Sequence, residues 1–146
     1  MTKQSILSAT IDIIFDGNCR EAMEYYKKIF NIGEMQMLTA GELPQDIDNP
    51  VPDSDKDKIA HGSMKISDME IHFFDNLSNI PIITGNNIMM HIWIEGKDET
   101  TKIFNQLKKD GVVHDDLKEQ FYADLNGVVT DKFGVKWNLL CHVPRD

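Results

Sequence analysis

The sequence predicts an α+β domain in which one small helix-bearing unit is used twice. Three observations carry that expectation. Short apolar-alternating stretches recur along most of the chain, as half-buried strands require. Two segments instead carry apolar residues at helical spacing. The order strand, helix, three strands then occurs twice, which suits helices on one face of largely antiparallel sheets.

The elements follow in order. Ser8 to Phe15 reads as a strand, with Ala9, Ile11, Ile13 and Phe15 on one side. Asp16-Gly17-Asn18 is a turn, and Asn18 with Glu21 forms a capping-box-like pattern. A helix to about Phe30 sets Ala22, Met23, Tyr26, Ile29 and Phe30 on one face, with Asn31 and Gly33 as stop residues. Glu34 to Ala40 is the next strand. Gly41 to Lys58, rich in Asp and Pro, is a solvated excursion. Ile59 to Ile66 and Met69 to Phe74 make a hairpin about Ser67-Asp68.

After a connection from Leu77 to Asn86, the pattern restarts. A strand runs from near Ile88 to Glu95. Asp98 is expected to cap a helix reaching Lys109, with Ile103, Phe104 and Leu107 inward and Gly111 as its stop. Short extended pieces follow at Val112–Leu117, Phe121–Leu125, Val128–Asp131 and Val135–Cys141, with Asn126-Gly127 read as a turn. The boundary between the two units is expected near residues 83 and 84, within one domain spanning 1–146.

Composition narrows the function classes. The chain has 146 residues, 15 Lys and Arg against 24 Asp and Glu, and a net charge of -9. Such a surface repels phosphate backbones and anionic bilayers, so nucleic acid and membrane are excluded as expected partners. A small ligand is not excluded, because a local pocket can differ from the net field. Two cysteines, Cys19 and Cys141, and no apolar run of spanning length point to a cytoplasmic protein with reduced thiols. Asp53-Ser54-Asp55-Lys56-Asp57 begins like a calcium loop, but Lys58 and Met64 stand where Gly and Glu are needed.

Three stretches carry a family resemblance: Phe15 to Tyr26, beginning Phe-Asp-Gly-Asn-Cys-Arg-Glu-Ala; His61-Gly62-Ser63-Met64-Lys65-Ile66 with the hairpin after it; and Gly127 to Leu139. With them the chain resembles the PhnB-like branch of the vicinal oxygen chelate superfamily, which includes glyoxalase I, extradiol dioxygenases and bleomycin-resistance proteins. The resemblance implies two βαβββ modules forming a cupped, mostly antiparallel sheet, a homodimer, and a small-molecule ligand. It also implies a divalent metal (Zn, Mn, Ni or Fe) in active members. Some relatives carry a demethylubiquinone methyltransferase label. No Gly-rich strand-to-helix loop for a methyl-donor nucleotide is present in this sequence, so that label is not adopted.

The resemblance places His91 at the family's His position and His72 near its usual carboxylate. The other two positions depart from the pattern. Ile11 or Thr10 stands at the first His position, with Asp12 on Thr10's face as a substitute ligand or general base. Asn138 replaces the last Glu. His72, His91 and Asp12 would form a two-His, one-carboxylate metal set, or the histidines line a polar pocket without metal. His61 is a pocket residue or a cross-strand partner. Phe74 and Trp93 wall a ligand cavity or pack in a core. Cys19 lacks a neighbouring His and is a doubtful nucleophile. Met35, Met37, Met89 and Met90 line a tolerant pocket or a dimer seam, or, the favoured reading, fill the core. Three readings remain: a metal-assisted enzyme of undefined substrate, a non-catalytic drug-type binder, and a structural remnant with no ligand.

Overall fold

The computed structural model describes residues 5–143. The described residues form two compact units that divide between residues 82 and 83.

In the first unit, β1 (Ile11–Phe15), α1 (Cys19–Ile29), β2 (Met35–Thr39), β3 (Ile59–Ile66) and β4 (Met69–Asp75) build a four-stranded sheet in the order β1-β4-β3-β2. β1 runs parallel to β4, while β3 is antiparallel to both neighbours. One sheet face is covered by α1 through Cys19, Ala22, Met23, Tyr26 and Ile29. Beneath it Tyr26 and Phe15 set their rings 6.1 and 6.2 Å from Phe73. Each ring of this cluster removes a large apolar area from water.

The expected Asn18 cap makes no side-chain hydrogen bond. Asp75, at the end of β4, does that work instead. Its Oδ1 accepts from the Gly17 and Cys19 amides at 3.0 Å, and its Oδ2 from the Ile59 amide at 2.8 Å. The carboxylate is buried, so it completes the helix N-terminus better than a solvated amide. The segment between β2 and β3 holds two short 3₁₀ turns, Ala40–Glu42 and Asp53–Asp55, pinned by Lys56–Asp53 and Lys58–Asp55 ion pairs of 2.8 and 2.9 Å.

The second unit repeats the plan. β5 (Met90–Glu95), α2 (Lys97–Lys108), β6 (Val112–Gln120), β7 (Ala123–Thr130) and β8 (Lys136–His142) pair in the order β5-β8-β7-β6. β5 is parallel to β8 and the rest are antiparallel. The fold is thus α+β: two mixed four-stranded sheets, each with one helix. Thr100, Ile103, Phe104 and Leu107 bury the α2 face.

Two expectations change here. Gly96, at φ 92°, is the N-cap of α2, and Asp98 lies in the first turn, where a carboxylate favours the helix dipole. Asn126-Gly127 is not a turn, because β7 runs straight through it. Gly127 is there for space: a Cβ would meet the Phe104 ring at 2.8 Å. The hairpin instead turns at Phe121-Tyr122.

The repeat extends to individual positions. Gly62 in β3 pairs with Phe73 of β4, and Gly127 in β7 pairs with Leu139 of β8. A Cβ at Gly62 would run into the Met23 thioether of α1, as one at Gly127 would run into Phe104 of α2. Each helix drops one side chain onto a strand glycine.

Candidate functional site

Strand alternation puts the predicted site residues on the sheet faces opposite the helices. In the first unit, Ile71 and Phe73 face α1, so Glu70, His72 and Phe74 point the other way. Asp12 is the register partner of His72 on β1, and Ser63 is its partner on β3. His61 lies one row further along. Its Nε2 stands 2.9 Å from His72 Nδ1, with the two rings near perpendicular at 78°. Phe74 closes on His61 edge to face at 5.4 Å. The structure therefore brings Asp12, His61, His72 and Phe74 together.

The direction of the His–His hydrogen bond follows from its surroundings. His72 Nε2 is buried without a hydrogen-bond partner, and Glu70 Oε1 faces it at 3.6 Å. A carboxylate there favours the proton on Nε2 and repels a lone pair. Neutral His72 then accepts at Nδ1 from His61 Nε2–H. Beside this row, a recess of about 500 Å³ opens against Phe30, Gln36, Ser63, Lys65 and Glu70.

In the second unit, His91 and Asn138 are register partners, as are Trp93 and Leu140. His91 and Trp93 set their rings 6.2 Å apart. Asn138 Nδ2 lies 3.3 Å from His91 Nδ1. Asn126 Nδ2 donates to Asn138 Oδ1 at 2.6 Å and to the Leu139 carbonyl at 2.9 Å, and Asn126 Oδ1 accepts from the Tyr122 hydroxyl at 2.6 Å. Next to Trp93 a recess of about 350 Å³ is lined by Gln120, Phe121, Tyr122, Asp124 and His142. His91, Trp93 and Asn138 are therefore neighbours on one face.

The donor set does not suit a chelated metal. Among the described residues no three His, Cys, Asp or Glu side chains cluster as a metal would require. The imidazoles also spend ring nitrogens on other side chains. Cys19 is equally unsuited to nucleophilic work: burial and the Asp75 carboxylate push its thiol up to about 12.

Comparisons with known proteins place the chain in a family and match its fold. Residues 8–140 match the family described as 3-demethylubiquinone-9 3-methyltransferase. The chain belongs to this family. Among curated relatives, Protein YjdN of Escherichia coli (strain K12) is 27% identical over 133 residues, covering 84% of this chain and 87% of the relative. Protein PA1353 from Pseudomonas aeruginosa is 31% identical, covering 95% of this chain and 100% of the other, with a TM-score of 0.80. The PhnB protein from Bacillus cereus is 22% identical over the same shares, with a TM-score of 0.71. A mutant of the fosfomycin resistance protein FosX from Listeria monocytogenes, complexed with Mn(II) and 1S,2S-dihydroxypropylphosphonic acid, shares the fold at 13% identity. It covers 95% of this chain and 93% of the other, with a TM-score of 0.61. The chain thus shares its fold with the PhnB protein and with FosX. No helix of the described residues is long and apolar enough to cross a membrane.

Sequence reasoning missed Asn126, Tyr122 and Glu70. Reading Asn126 as a turn residue removed it from the strand face. Had β7 been taken as one strand, Asp124, Asn126 and Val128 would have alternated onto the face of Asn138.

Proposed function

We propose that the protein binds a small organic molecule on the helix-free sheet faces, by hydrogen bonds from imidazole and amide groups beside aromatic rings, without catalysis. What supports this reading is His91: Asn138 engages its Nδ1, and the half-exposed Trp93 stands next to it. Groups held in place by one another serve directional recognition. The homodimer expected from the sequence belongs to the same proposal, and sedimentation should return twice the 16.7 kDa chain mass.

The rival reading is the metal-assisted one, with His72 and His91 as ligands, Asp12 as ligand or general base, and Zn, Mn, Ni or Fe as Lewis acid. FosX with Mn(II) is the precedent for it within the fold.

One experiment separates the two readings. Trp137 is buried and donates to Asp131 at 2.8 Å, so an added ligand quenches the half-exposed Trp93 preferentially. Saturable quenching by small aromatic compounds, lost in Trp93→Leu and unaffected by chelator, is the expected result. Near-stoichiometric metal retained after incubation with each of the four ions, and lost in His72→Ala or His91→Ala, would overturn it in favour of the metalloenzyme.

A further inference from the structure

The geometry points to a hydrogen-bond chain, Tyr122–Asn126–Asn138, that fixes His91 as the Nε2–H tautomer, so that this face takes an aromatic ligand carrying a carbonyl-type oxygen acceptor. The assignment rests on the binding reading above for the ligand, but not for the tautomer.

One end of the hydrogen-bond chain is a backbone carbonyl, which cannot change its role. Leu139 O lies 2.9 Å from the Asn126 side-chain amide, and only an N–H makes a favourable contact there. That sets the amide orientation of Asn126. Its second N–H then points at Asn138, 2.6 Å away, so the atom receiving it is Asn138 Oδ1. The Tyr122 hydroxyl agrees, since it donates to the oxygen this orientation leaves on the far side. With Oδ1 used, Asn138 turns its NH₂ toward His91 at 3.3 Å. An NH₂ group has no lone pair to offer, so His91 Nδ1 is the acceptor. The neutral ring therefore carries its proton on Nε2.

This tautomer decides what the face recognises. A metal-binding imidazole needs an unprotonated nitrogen, usually with the other N–H donated to a carboxylate or carbonyl. His91 has the reverse arrangement: it presents an N–H. Its ring is 6.2 Å from the Trp93 ring, next to the recess lined by Tyr122 and Phe121. The ligand that fits is an aromatic ring stacked on Trp93 with a carbonyl oxygen accepting from His91 Nε2–H. Tyr122, Asn126 and Asn138 act through His91 and are positioning residues.

Nitrogen-15 NMR of the histidine rings reads the tautomer directly, with the His91 signals assigned through His91→Gln. The expected result is one neutral tautomer, protonated at Nε2. In Asn138→Asp the carboxylate should draw the proton to Nδ1. In Asn126→Leu, or in the exposed Tyr122→Phe should that variant misfold, the single tautomer should give way to a mixture. An Nδ1–H ring or an even mixture in the wild-type protein would overturn the lock. Acetophenone, which accepts but does not donate, is the ligand probe. Its quenching of Trp93 should weaken about tenfold in Asn138→Asp, the effect of one lost hydrogen bond. Equal affinity in both proteins would overturn the ligand assignment. If no compound quenches Trp93 while the tautomer is as stated, the binding reading fails and the lock stands.

Discussion

The two units lay different chemistry on the same lattice. In the first, β4 carries His72 between Asp12 on β1 and Ser63 on β3. In the second, β8 carries Asn138 between His91 on β5 and Val128 on β7. The inner diagonal contact is His61 to His72 in one sheet and Asn126 to Asn138 in the other, at 2.9 and 2.6 Å. The same register position therefore holds an imidazole pair in one unit and an amide pair in the other. Imidazoles exchange protons and can reverse their hydrogen bond, whereas amides cannot. The first face is adjustable, its direction set by the Glu70 carboxylate at 3.6 Å. The second is fixed by a main-chain carbonyl.

The strongest way to break the comparison is to remove the buried carboxylate each unit is built on. Asp75 accepts three amide N–H groups. Asp131 accepts the Phe133 and Val135 amides at 2.8 and 3.1 Å and the Trp137 indole at 2.8 Å. Alanine at either position orphans three donors, so urea unfolding should show a loss of about 3 kcal/mol or more in each case. Near-wild-type stability of either variant would show that water or rearrangement replaces the anchor.

A smaller effect sharpens the comparison. Gly62→Ala presses on the unbranched Met23, whose thioether can swing away. Gly127→Ala presses on the rigid Phe104 ring, with Leu117 Cδ2 at 3.0 Å and the Asp115 carbonyl at 3.2 Å also close. Both should destabilise by about 1–3 kcal/mol, with Gly127→Ala the larger. The reverse order in thermal melts would contradict the contact geometry.

The smallest expected effect concerns the thiols. Cys19 and Cys141 are both buried, so native protein at pH 8 should react with Ellman's reagent far more slowly than unfolded protein. For Cys19 the sign of the alkaline effect follows from linkage. An unfolded thiol ionises near 9.0 and the folded one at about 12, so the unfolded state releases its proton first. Stability is therefore fully present below pH 9 and falls from there toward 12. Cys19→Ala should flatten part of that decline in pH-dependent melts. An unchanged slope would remove Cys19 as its source.

How much of this was legible depended on how local the cause was. Alternation in Ile59–Ile66 and Met69–Asp75 marks a hairpin, and Ser67 takes the positive φ of 53° that the turn needs. Helical spacing of Ala22, Met23 and Tyr26 foretold a buried face. Both are read within one element. The α1 cap was not legible, because its acceptor comes from Asp75, 56 residues away. Asn126-Gly127 carries a strong turn signal, yet tertiary crowding under Phe104 explains the glycine instead. Among the site residues, Asp12 beside His72 and His91 beside Asn138 rest on strand placement the sequence supports. The likeness between the His and Asn pairs emerges only from register, since imidazole and amide share no sequence pattern.

The Asp75 tie also bears on when a helix start becomes complete. α2 has a distant tie of the same kind: besides the first-turn bonds from Thr100 to the Gly96 carbonyl, the amide of its N-cap Gly96 donates to the His142 carbonyl at the end of β8, at 3.0 Å. α1 waits for a carboxylate that arrives only when β4 has docked, after a loop of more than fifty residues has closed. Closing such a loop costs chain entropy before any contact offsets it. Neither helix start is therefore complete until the last strand of its own unit has docked, and lasting amide protection at both starts during refolding should report sheet closure.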